Sequence, residues 1–126
     1  MDSVKPEEKL TRFIFDSNEY RSSDKGLKHS AFMPNNKGKT SVFRISGISD
    51  EEIWDIGERE VVPKKGKAMK GRADIPAYEV LKHNLSVDPE EPPPRHANIV
   101  SWNLNRQDQR LIAVKLAADA NFIEKQ

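Results

Sequence analysis

TSVFRISGISDEEIWDIG, Thr40–Gly57, changes its hydrophobic period halfway along. Over TSVFRIS the side chains alternate, with Phe43 and Ile45 on one face of a strand and Val42 and Arg44 on the other. From Ser49 the pattern is helical. Ser49 with Glu52 three residues on is a capping box. Asp50, Glu51 and Glu52 put negative charge where the helix dipole favours it, and Ile53, Trp54 and Ile56 form an apolar stripe. Gly57 is placed to end the helix, which is expected over Asp50–Ile56.

Upstream, LTRFIFD reads as a strand with Phe13 and Phe15 on one face and Arg12 and Ile14 on the other. KHSAFMP is a candidate short strand closed by Pro34, and NNKGK supplies a tight connection, so a hairpin is expected over about Lys28–Ser46. Downstream, VPKKGKAMKGR reads as an exposed loop, RADIPAYEVLKHN as a second helix, and Leu85 and Val87 as a short strand. DPEEPPP reads as a stiff, extended connector that delivers the chain into the strand HANIVSW. NRQDQRLIAVKLAADANF reads as the longest helix, capped by Asn105, with Leu111, Ile112, Lys115 and Ala118 along one side. The expected fold class is α+β: one domain over residues 10–126, a small and mainly antiparallel sheet with two to three helices on one face, preceded by a flexible segment over residues 1–9.

Composition narrows the function classes. The chain has 126 residues, 36% hydrophobic and 33% charged, with mean hydropathy −0.77. That length supports one modest core. With no cysteine, disulfides, thiolate catalysis and Cys-based zinc sites are excluded. No apolar run approaches a bilayer-spanning length and no signal-peptide pattern opens the chain, so a cytoplasmic protein with no membrane partner is expected. A net charge of +1 supplies no global field, so an electrostatic function must come from local segregation of charge.

Such segregation is present. Arg59, Lys64, Lys65, Lys67, Lys70 and Arg72 fall within fourteen residues that include Gly66 and Gly71, just after an acidic block. Lys64, Lys65, Lys67, Lys70 and Arg72 are therefore candidate anion-binding residues, with nucleic acid as a candidate partner; the alternative is a solvated, solubilising loop. Gly66 and Gly71 have P-loop spacing, but Arg72 and Ala73 stand where the motif needs Lys and Ser or Thr. A second, catalytic possibility is a small transferase or hydrolase acting on a phosphate-bearing substrate, with Arg44 and Arg95 binding the anion and His96 as acid or base. It requires those three side chains in one pocket; otherwise His96 is a strand-edge residue and Arg44 faces solvent. A third possibility is protein–protein interaction through a sheet edge or through exposed Phe32 and Met33. No GxSxG elbow, HExxH or HxH is present, so no metal and no cofactor are expected.

RFIF, SAFMP, SVFRISGISDEEIW, RADIPAYEV and PPPRHANIVSW together resemble a family of short bacterial proteins without an established activity. The resemblance covers most of the chain. It implies a bacterial cytosolic protein, an operon companion in kind, and supplies no catalytic residues to carry over.

Overall fold

The computed structural model describes residues 2–126; Met1, part of the expected flexible segment, lies outside the described residues. Six strands form one antiparallel sheet: β1 Lys9–Ile14, β2 Thr40–Arg44, β3 Gly71–Pro76, β4 Ser86–Pro89, β5 His96–Val100 and β6 Asn121–Glu124. Their order across the sheet is β4-β5-β2-β1-β3-β6. The helices are α1 Asp50–Ile56, α2 Val62–Lys65, α3 Ala77–Leu81 and α4 Arg106–Asp119. The class is α+β, as expected.

Alternation along the strands sends apolar side chains to both faces. On one face Leu10, Ile14, Val42, Ala73, Ile75, Ala97 and Ile99 join Val80 of α3 and Ala113, Leu116 and Ala117 of α4 in the larger core. On the other, Phe13, Phe15, Phe43 and Ile45 meet Ile53 and Ile56 of α1 and Met69. Two helices thus pack on one face, and α1 with its continuation covers part of the second. Full burial of a large apolar side chain stabilises by roughly 1.5–3 kcal/mol, so both clusters matter at this size.

The Ser49 cap forms: its Oγ accepts from Glu52 N–H at 3.1 Å. Gly57 does not stop the helix. Its φ is −59°, and the chain continues through a wide π turn, Gly57–Val61, into α2. Pro63 explains the wide turn, since it has no N–H and its ring would clash with the carbonyl a turn earlier. The true stop is Gly66, left-handed at φ +69°, whose N–H donates to Val62 O. Gly57 is required for proximity instead: a Cβ there would lie 2.8 Å from Met69 Sδ and 2.8 Å from Phe13 Cε1.

Four further expectations are corrected. SAFMP is not a strand: His29–Ala31 is a 3₁₀ turn and Phe32 is fully buried. Both sides of β2 are already taken by β1 and β5, leaving no edge for a hairpin partner. GRADIP is a strand, not the start of a helix; R-A-D-I alternates polar and apolar, and Pro76 is the N-cap of α3. EEPPP is not extended. It is the turn between antiparallel β4 and β5, closed by Glu90 N–H to His96 O at 2.9 Å, with cis peptide bonds before Pro92 and Pro93. Along α4 the buried side is Ala113, Leu116 and Ala117, while Leu111 is 62% exposed.

The N-terminal segment is tied to the sheet. Arg44 Nη1 donates to Asp2 O, its Nη2 to Ser3 O, and Tyr78 N–H donates to Pro6 O. No helix among the described residues is long and apolar enough to cross a membrane.

Candidate functional site

The β1–β2 ladder pairs Leu10 with Arg44 and Thr11 with Phe43, and then ends. Where it ends, the Arg12 side chain takes over the strand's role. Nε donates to Ala31 O at 2.6 Å and Nη1 donates to Ser41 O at 2.8 Å. Among the described residues Arg12 makes no ion pair; Glu19 acts on it only through space. Enclosure pushes its pKa below the usual guanidinium range, a desolvation effect that leaves it cationic at neutral pH.

Arg12 lines a cleft of about 250 Å³ with Phe13, Met33, Lys39, Ser41 and Lys65 among its walls. An adjoining lobe of about 260 Å³ shares Ser41, Phe43, Val61 and Lys65 and adds Lys64, Glu60, Glu90 and His96. The cleft lies on the Phe43 face of the sheet, between β2 and α2; Arg12, on the Ile14 face by alternation, reaches it where the β1–β2 ladder has ended, through its bond to Ser41 O. Met33 and Lys39 come from the segment beside β2.

His96 and Ser41 meet at the second lobe. Phe43 pairs directly with His96 and Ser41 with Asn98, so all four side chains share one face. His96 packs edge-on against Phe43 at 5.3 Å between ring centroids. Its Nδ1 lies 2.9 Å from the main-chain oxygen of Glu90, and its Nε2 lies 2.7 Å from Ser41 Oγ. A carbonyl oxygen can only accept, so Nδ1 carries the proton, and in the neutral ring Nε2 is left as the acceptor for the Ser41 hydroxyl. The Glu90 carboxylate stands 3.7 Å from Nδ1. Hydrogen bonds from Asn98 and Lys39 hold its pKa below the ordinary carboxylate value, so it stays ionised. A hydroxyl, an oriented base and an anionic neighbour of that base therefore line one cleft that also contains Arg12, Lys39 and Lys65.

The three residues expected in one pocket do not assemble. His96 is on the Phe43 face, while Arg44, one position on from Phe43, is on the Val42 face. Arg44 is neutralised there by a two-pronged pair with Glu8, Nε to Oε1 and Nη2 to Oε2, each 2.8 Å. Arg95 Nη1 donates to Arg44 O at 3.2 Å, and the two arginines line one separate groove with Asp2, Glu8 and Glu91, away from His96. Arg44 and Arg95 therefore do not converge with His96; of the three, only His96 reaches the cleft.

The basic loop is likewise divided. Lys64 and Lys65 are exposed on α2 at the cleft, and Lys70 is exposed beyond it. Lys67 is paired with Asp16. Arg72 is only 2% exposed, paired with Asp74 at 3.1 Å and Asp50 at 2.7 Å, and lies over the Trp54 ring. It holds α1 to β3 and is not available to a ligand. Buried Phe32 is not available to a protein partner, and Met33 is a cleft wall. Among the described residues no group of three or more His, Asp or Glu could hold a metal ion.

Ser41 and Arg12 carry no sequence signal of chemistry. Ser41 is one of ten serines in the chain and sits in an ordinary alternating strand, and Arg12 sits in a run of apolar strand residues. No protein-family model matches the chain, no curated protein matches it and no solved structure matches it.

Proposed function

We propose that the protein binds an anionic, phosphate-bearing ligand in the cleft between β2 and α2. Arg12 carries the proposal: a half-buried guanidinium bonded only to neutral carbonyls brings a cation with no direct ion-pair partner among the described residues to the wall of a cavity. Lys65 adds a cation to the same walls and Ser41 a hydroxyl, while Lys39, also in the wall, is paired with Glu90 at 3.2 Å. Lys64 extends the positive rim and Lys70 stands farther along the chain, so the ligand class runs from a free phosphate ester to the backbone of nucleic acid.

The test is thermal stabilisation and calorimetric binding at low salt, with inorganic phosphate, a nucleoside monophosphate and a single-stranded oligonucleotide as probes. Stabilisation is expected to weaken as salt rises and to fall in Lys65→Ala and Lys39→Ala, both surface changes that spare the core. A response to phosphate or monophosphate alone places the ligand within the cleft; a response to the oligonucleotide alone assigns the polymer. Binding of no probe at low salt, or equal binding by wild type and both variants, rejects the site.

A further inference from the structure

We propose that Ser41 is a nucleophile, with His96 as its general base, and that the cleft transfers the phosphoryl group of a bound phosphate ester to water through Ser41. The inference rests on the anion-binding reading of the same cleft and adds to it a reaction.

The geometry has the parts a serine nucleophile requires. The hydroxyl lies 2.7 Å from His96 Nε2, within reach for proton transfer. The ring is held in the acceptor tautomer by the Glu90 carbonyl at 2.9 Å, the orienting role that a third group plays in nucleophile–base pairs. The ionised Glu90 carboxylate at 3.7 Å favours the imidazolium that forms when the proton arrives. Both residues lie on strands paired in the middle of the sheet, so their separation is fixed by a hydrogen-bonded ladder and not by a loop. Arg12 and Lys65 line the cleft beside Ser41, where negative charge builds on a transferring phosphoryl group.

The steps balance without a cofactor. Ser41 Oγ attacks phosphorus as its proton passes to His96 Nε2; the P–Oγ bond forms, the ester P–O bond breaks, and the imidazolium returns the proton to the departing alkoxide. Water then attacks the phosphoserine, giving its proton to Nε2; the P–Oγ bond breaks and Ser41 recovers its proton. The net reaction consumes an ester and a water and yields an alcohol and inorganic phosphate.

Two measurements test the nucleophile. A fluorophosphonate, which loses fluoride to an activated serine, is expected to form one adduct on Ser41, seen by intact mass and peptide mapping. The adduct should be lost in Ser41→Ala and slowed roughly 100-fold in His96→Gln, in keeping with a lost general base. Because the chain contains no cysteine, Ser41→Cys introduces a single thiol whose alkylation by iodoacetamide reports directly on the base. At pH 6 that rate is expected to fall roughly 10- to 100-fold when His96→Gln is added, with the pH profile moving towards that of a free thiol. A wild-type protein without a Ser41 adduct overturns the proposal, as does a thiol whose profile ignores His96. Phosphate stabilisation that persists in such an unreactive protein leaves the binding site standing and removes only the nucleophile; loss of both removes the site.

Discussion

Ser41 Oγ and His96 Nε2 lie 2.7 Å apart although the residues are 55 positions apart in the chain. The contact exists because β2 and β5 pair with Thr40 opposite Ile99 and Phe43 opposite His96, which sets Ser41 and His96 diagonally across one face. A shift of one residue in that register would send either side chain to the opposite face and dissolve the pair. Its first consequence is spectroscopic. In its neutral form His96 is expected to show the Nδ1–H tautomer in nitrogen-detected NMR, with Nε2 as the unprotonated acceptor. A resonance pattern of the Nε2–H tautomer would remove Ser41's acceptor and the chemistry built on it.

Gly57 is expected to tolerate no side chain. A methyl group placed on it would meet Met69 Sδ and Phe13 Cε1, each at 2.8 Å, in a packed cluster. Gly57→Ala should therefore destabilise by about 1–3 kcal/mol in denaturant unfolding, the usual cost of overpacking, although alanine is the better helix former. A neutral or stabilising result would mean that the cluster relaxes freely around the added carbon.

The Glu8–Arg44 pair predicts a pH dependence. The hydrogen bond from Arg44 is the main cause that holds the Glu8 pKa below 4.5 in the folded state. A depressed folded pKa contributes stability that is present above the unfolded value and lost as pH falls through the folded one. Wild type should exceed Glu8→Gln in stability by up to about 1 kcal/mol at pH 7, and the gap should close as pH falls below 4.5. Urea titrations of both proteins across pH 3–7 measure it, and a constant gap contradicts the assignment.

The cations separate into structural and ligand-facing groups, and substitution should tell them apart. Arg72→Ala leaves Asp74, itself 8% exposed, without its partner; a loss of roughly 3–5 kcal/mol is expected in unfolding. Lys65→Ala, at an exposed position, should stay within about 0.5 kcal/mol of wild type yet weaken phosphate binding. If Lys65→Ala destabilised the fold as much as Arg72→Ala, the assignment of Lys65 to the ligand would fail.

Much of the fold could be read locally. The β2-to-α1 junction was legible because a strand period and a capping box use neighbouring residues only. The Asn105 cap of α4 was legible for the same reason, since its side chain accepts from Gln107 N–H and Asp108 N–H. β3 was masked by Pro76 and the helix formers after it, although Arg72–Ile75 alternates. β6 was hidden by the helical composition running into it: Asn121–Glu124 becomes a strand because β3 offers it an edge. Of the candidate site, His96 is legible from its neighbours in the chain, while Ser41 and Arg12 are not. Their chemistry depends on what lies across the sheet, and neither carries a motif.

The sequence by itself determined the class of object: a cysteine-free α+β chain whose strand and helix starts follow from side-chain period and capping. It also singled out Lys64 and Lys65 among the cations that line the cleft. Only the tertiary structure decided which cations are free, with Arg72 buried between two carboxylates and Arg12 bonded to carbonyls. It alone decided that His96 faces Ser41 and not Arg44. The reason is that capping and period act between residues a few positions apart, whereas strand register and burial join residues far apart in the chain. Those long-range pairings fix which charges are compensated and which hydroxyl finds a base.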